Sequence, residues 1–276
     1  MLVRKLFCAA ALSSLIVGSA EADDHTMRAA VAQALKDVPV EDMVSRAGYS
    51  SAQQSLVEEY MRDLVSNETI ASLVTMIIVD TAPDEFKNDT EAAPVLVRDY
   101  AAGAYREIGN VFAAYLPTEE RRRFLEMHRQ VLSGMEPQDC ASHLLDKRFK
   151  EISVSQRLEE EIEVLNAQPA EFQQEWLELN GAALRAGAEG HAQLMQMPDE
   201  EFQPLYDAGE TALKDSFSSL VDTQPRRDEL IRAYFESHSA PAEDVCEVYQ
   251  LELDAALEVE GDLSFYAMFV ALTQRA

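Results

Sequence analysis

His128 and His143 lie at equal distances from residues 135–136, where Gly134 and Pro137 mark a turn between two helical stretches. If those stretches run antiparallel, the two imidazoles fall at one level. Cys140 and His143 share a helix face at i, i+3 spacing, with Asp139 and Asp146 beside them. Imidazoles joined by a carboxylate or thiolate can hold zinc or copper, which makes His128, His143 and Asp139 the candidate metal ligands. Two features weigh against a metal. His128 also continues the apolar stripe of Phe124, Leu125, Val131 and Leu132, where a core histidine would sit. A Cys140 spent on a disulfide is lost as a ligand, so no cofactor is expected.

A second candidate is a small-molecule pocket at Trp176, the single tryptophan, and His191. Between them run Gly181, Ala182, Ala183, Ala186, Gly187 and Gly190, small residues that either admit a crossing helix closely or leave room for a ligand. Dense interior packing favours the crossing helix. The chain lacks H-E-x-x-H, G-x-S-x-G, S-x-x-K, C-x-x-C, phosphate-loop and EF-hand patterns, so nothing in it marks those enzyme classes. Its carboxylates are too numerous for any catalytic pair to be picked from sequence. Acidic runs such as Glu159-Glu160-Glu161 read as solvated faces.

The charge is lopsided. Among 276 residues, 50 Asp+Glu stand against 23 Lys+Arg, for a net charge of −27. Such a field opposes nonspecific binding to nucleic acid and to anionic lipid. Hydrophobic residues make up 47%, enough for a sizeable core.

Residues 1–22 have the pattern of a secretory signal peptide. Arg4 and Lys5 precede the apolar run Leu6 to Gly18, and Ala20-Glu21-Ala22 offers a cleavage site, with a cut after Ala20 nearly as good. The run is too short to anchor the chain in a bilayer. Cleavage leaves 21 bases and 49 acids, a net charge of −28, and two of the three cysteines, Cys140 and Cys246. In an oxidising compartment two cysteines are most simply one disulfide. The expected address is therefore the periplasm or the exterior.

The expected fold is all-α: about ten helices in a multi-helix array or a bundle of antiparallel hairpins. Helical spacing recurs, strand-like alternation is scarce, and prolines punctuate at helix length. Ser50 or Ser51 can cap a helix reaching Asn67, and Pro94, Pro169, Pro198, Pro225 and Pro241 each fall at or before a start. The run 68–80 is apolar on most sides and suits a buried helix, although its Val and Ile residues would also suit a strand. Gly134 reads as the residue just past a helix C-terminus.

Residues 23–150 form a mildly acidic half (−8) and residues 151–276 a strongly acidic one (−20), within one continuous domain. Arg121, Arg122, Arg123, Arg129, Lys147, Arg148 and Lys150 gather in the hairpin around Cys140. Glu243, Asp244, Glu247, Glu252, Asp254, Glu258, Glu260 and Asp262 lie around Cys246 with no base among them. These segments are expected to dock on each other with the disulfide at the contact. A non-catalytic module that binds a basic protein or peptide follows from the acidity and the lack of motifs. The alternative is an envelope small-molecule-binding protein or hydrolase using carboxylates or His128 and His143.

Overall fold

A computed structural model describes residues 20–83, 85–86, 89–144, 154–237 and 239–273. Helix accounts for 83% of it, without strands among the described residues. The signal-peptide pattern falls almost wholly outside these residues, as do Asp146, Lys147, Arg148, Lys150 and His238; only Ala20–Ala22 belong to the first described helix.

Among the described residues thirteen α-helices follow one another: α1 Ala20–Asp37, α2 Val40–Val44, α3 Ser51–Val65, α4 Glu68–Thr81, α5 Ala93–Phe112, α6 Thr118–Ser133, α7 Pro137–Leu144, α8 Val154–Asn166, α9 Ala170–Gln196, α10 Asp199–Val221, α11 Arg227–Phe235, α12 Ala242–Glu258 and α13 Ser264–Thr273. Three short 3-10 turns punctuate them, at Thr90–Ala92, Ala113–Tyr115 and Gly261–Leu263.

Local chemistry accounts for several boundaries. The Ser50 hydroxyl accepts from Gln53 N at 3.4 Å while the Gln53 side chain accepts from Ser50 N at 2.6 Å, a reciprocal cap that fixes the start of α3. Asn67 caps α4 by accepting from Ile70 N at 3.1 Å. The run 68–81 is helical despite its β-branched residues. Thr75 and Thr81 satisfy their hydroxyls on the carbonyls of Ala71 and Ile77, both at 2.7 Å, while Ile70, Val74, Ile78 and Val79 are buried. Pro117, Pro198 and Pro241 sit at the N-caps of α6, α10 and α12, where a missing N–H costs nothing. Gly134 differs from its expected role. It keeps right-handed helical geometry (φ −85°) as the C-cap of α6, so the glycine's freedom is not used there. Among the described residues Gly48 and Gly261 are the glycines that need it, with φ of 82° and 71°.

The chain divides into two compact units, each made of two separate stretches: residues 1–109 with 153–188, and residues 110–152 with 189–276. In the first unit α1 packs on α4, and α3 packs on α2 and α4. In the second, α12 is the hub and contacts α6, α7, α10, α11 and α13. It is buried on almost every side, through Val245, Cys246, Val248, Tyr249, Glu252, Leu253, Ala255 and Ala256.

No single described helix is long and apolar enough to cross a membrane, and one pair bent by 107°, α3 with α4, passes that test jointly. Ile70, Val74 and Ile78 of that pair are fully buried in the first unit.

Candidate functional site

Cys140 and Cys246 stand at disulfide distance, with Cα atoms 5.7 Å apart and 106 residues between them in sequence. Their bond joins α7 to α12. The expected docking of the basic hairpin on the acidic stretch is present in the second unit: α6 and α7 both pack on α12. The Arg129 guanidinium bonds both carboxylate oxygens of Asp254, at 2.8 and 2.9 Å, and Arg122 reaches the Leu257 carbonyl at 3.4 Å. The acids nearest Cys246 pair elsewhere. Asp244 and Glu247 are both held by Arg226, which precedes α11. Charge in sequence located the interface but not every partner across it.

His128 is 7% exposed. Its ring stacks on Phe124 at 6.1 Å and meets Tyr249 edge-on at 6.5 Å. The imidazole is thus sandwiched between α6 and α12, on the apolar stripe identified above. Asp139 lies in the first turn of α7. His143 belongs to the same helix, but its side chain lies outside the described residues, and so does that of His191 on α9. No cluster of three or more His, Cys, Asp or Glu fit to hold a metal ion occurs among the described residues.

Trp176 is 1% exposed and forms the centre of the first unit rather than the wall of an open cleft. Its indole N–H donates to Glu161 Oε1 at 3.2 Å, and Arg106 Nε donates to the same oxygen at 2.5 Å. The Arg106 guanidinium also lies over the indole, 4.7 Å from the ring centroid. Sequence reasoning missed this ionic core, because Glu161 closes an acidic run read as solvated. In the structure Glu159 is exposed, Glu160 half-buried and Glu161 5% exposed. The missed signal is the stripe Leu158, Ile162 and Leu165, which turns position 161 toward the interior. Tyr49 and Tyr60 lie within electrostatic reach of Arg106 and Glu161. Burial pushes both phenols above the ordinary tyrosine value.

The small residues of α9 are met by aromatic rings. A Cβ on Gly181 would fall 3.2 Å from the Tyr60 ring in the first unit. One on Gly190 would fall 2.2 Å from the Tyr115 ring in the second. At these two positions the missing side chains make room for neighbouring rings.

Open clefts occur in both units. The first unit has one of ≈440 Å³ between Met43, Arg46, Asp99 and Ser155. Asp99 there joins Arg46 at 3.0 Å and Arg98 at 3.1 Å, so these three charges satisfy one another. In the second unit a groove of ≈560 Å³ follows the α6–α12 contact past Arg129 and Asp254. A smaller cleft of ≈350 Å³ lies where α6 starts, near Arg121 and Ser264.

Around these clefts the second unit is acidic. From residue 189 onward, thirteen acids are exposed, among them Glu200, Glu201, Asp207, Asp215, Asp228 and Glu229, against the exposed bases Lys214, Arg227 and Arg232. Two of these bases are engaged locally: Lys214 with Glu210, and Arg227 with Asp222 and Asp228. Phe235 ends α11 amid this surface, is 78% exposed and meets the Tyr234 ring edge-on at 5.2 Å. The other large apolar side chains exposed among the described residues, Val95 and Leu205, are 39% and 37% exposed. The chain matches no protein-family model, no curated protein sequence and no solved structure.

Proposed function

We propose that this chain is an exported, non-catalytic binding protein for a basic protein or peptide. The partner is engaged by the acidic surface of residues 189–273, with Phe235 as its apolar anchor. Phe235 carries the reading: a phenyl ring 78% exposed at a helix end, bordered by the exposed Glu236 and on the helix that carries the exposed Asp228 and Glu229. Aromatic side chains are the usual energetic centres of protein interfaces, while a surrounding charge field sets partner choice and encounter rate. Export is supported by the pattern of residues 1–22 and by a cysteine pair at bonding distance, which an oxidising compartment would retain.

Isothermal titration with synthetic peptides of equal length tests the reading: one Lys/Arg-rich with a central apolar residue, one with the apolar residue replaced by Ser, and one Glu-rich. The first peptide should bind most tightly and weaken as salt rises. Phe235→Ser should cost about tenfold in affinity, the scale of a moderate interface anchor. Binding that ignores salt, or that Phe235→Ser leaves unchanged, overturns it.

A further inference from the structure

The cleft of ≈350 Å³ in the second unit is built around a buried cation. It lies where α6 begins at Thr118 and where the Gly261–Leu263 turn leads into α13. Arg121 reaches it from the first turn of α6 and is only 7% exposed. Its guanidinium makes two hydrogen bonds, from Nη1 to the Ala114 carbonyl at 3.2 Å and from Nη2 to Ser264 Oγ at 2.9 Å. Both acceptors are neutral, and no carboxylate among the described residues pairs with it.

The other deeply placed arginines differ. Arg106, 8% exposed, is matched by Glu161, and Arg157 stands 3.3 Å from Glu107. Arginine stays ionised in proteins, and a buried charge is costly unless a counter-charge meets it. Burial accordingly holds the Arg121 pKa below the ordinary arginine value.

A second arginine shares the cleft. Arg122 stands exposed on the rim. At the start of α6, where Thr118 and Glu119 line the cleft, Pro117 supplies no side-chain cap. The Ser264 hydroxyl accepts from Arg121 and has its own proton to donate. Glu119 and Glu260 also line the cleft, but both are exposed and neither pairs with an arginine.

We propose that this cleft binds an oxyanion, the carboxylate or phosphate group of a small molecule, with Arg121 and Arg122 as its charge partners and Ser264 as a neutral donor. The volume suits a small ligand. The proposal stands apart from the acidic docking surface, which neither requires nor predicts an anion site, and the two can fail separately.

Thermal unfolding and isothermal titration of the full mature protein, with sodium phosphate, sodium acetate or sodium chloride at matched ionic strength, provide the test. Phosphate, acetate or both should raise the melting temperature saturably above chloride. Arg122→Ala, at an exposed position, should weaken that binding about tenfold, as loss of one charge-assisted contact does. Ser264→Ala should weaken it less, and Arg121→Lys should weaken it through loss of the planar fork. If Arg121→Lys fails to fold, Arg122→Ala and Ser264→Ala decide. No anion effect beyond chloride, or equal binding by wild type and Arg122→Ala, overturns the proposal.

Discussion

The guanidinium of Arg106 lies 4.7 Å from the centre of the Trp176 ring, and both groups bond the same carboxylate oxygen, Oε1 of Glu161. Three buried side chains from α5, α8 and α9 thus share one charge-neutral node inside the first unit. An isolated ion there would be far costlier than the pair, so the node ties the three helices into one arrangement.

Removing one member of this node should be more damaging than removing the charges together. Glu161→Gln leaves Arg106 buried without its counter-charge and should cost about 3–5 kcal/mol in urea unfolding. Arg106→Met with Glu161→Leu should recover a large part of that loss, short of the unpaired Trp176 N–H. A double variant less stable than Glu161→Gln alone would contradict the shared-node account.

The Cys140–Cys246 bond joins positions 106 residues apart. Its reduction, or Cys140→Ser with Cys246→Ser, should destabilise the second unit by about 2–5 kcal/mol. Differential scanning calorimetry with and without reductant reads the effect. Unchanged melting on reduction would show that the helices around α12 hold without the bond.

The glycines of α9 and α10 give opposed energetic terms whose sizes decide the outcome. Glycine to alanine inside a helix gains about 1 kcal/mol of propensity. At Gly209 the new Cβ would stand 2.4 Å from Tyr266 Cβ and 2.9 Å from Ala267 N, against the backbone of α13. Backbone cannot move aside cheaply, and overpacking of this kind costs about 1–3 kcal/mol or more, so Gly209→Ala should lower stability. Gly181→Ala, 3.2 Å from the Tyr60 ring, needs only a few tenths of an ångström of ring movement and should be milder. Equal melting temperatures for both variants would refute this ranking.

Burial raises the phenol pKa of Tyr49, Tyr60, Tyr105 and Tyr115 above the ordinary value. The folded protein therefore holds these protons more tightly than the unfolded chain. Their contribution to stability is fully present below about pH 10, where the unfolded phenol titrates, and is lost as pH rises beyond it toward the folded values. Absorbance at 295 nm should show a subset of the nine tyrosines ionising early and the rest only with alkaline unfolding. One reversible transition near pH 10 for all nine would show these rings to be solvated.

Much of the helical layout was legible in the sequence because helix boundaries obey local rules. The Ser50–Gln53 reciprocal cap, the Asn67 cap and the prolines before α6, α10 and α12 act over a few residues and leave direct traces. The strand alternative for residues 68–81 fails for a local reason as well, since the threonine hydroxyls find acceptors one turn back in the helix. The cysteine pairing was legible through counting, and the opposite charges around the two cysteines pointed to the α6–α12 contact that Arg129 and Asp254 make.

The candidate sites were less legible, for a physical reason. Whether a charged residue is solvated, paired or stranded depends on what another part of the chain brings to it. Glu161 has the same identity as Glu159, and only the approach of Arg106 and Trp176 makes it a buried acceptor. Arg121 sits in a basic run with Arg122 and Arg123, yet only it is buried, held by the Ala114 carbonyl and by Ser264 from a distant segment without a counter-charge. The sequence by itself determined most of the helix boundaries and the acidity, because short-range geometry and composition decide those. The tertiary structure alone decided which charges are desolvated, since desolvation is a property of distant segments brought together.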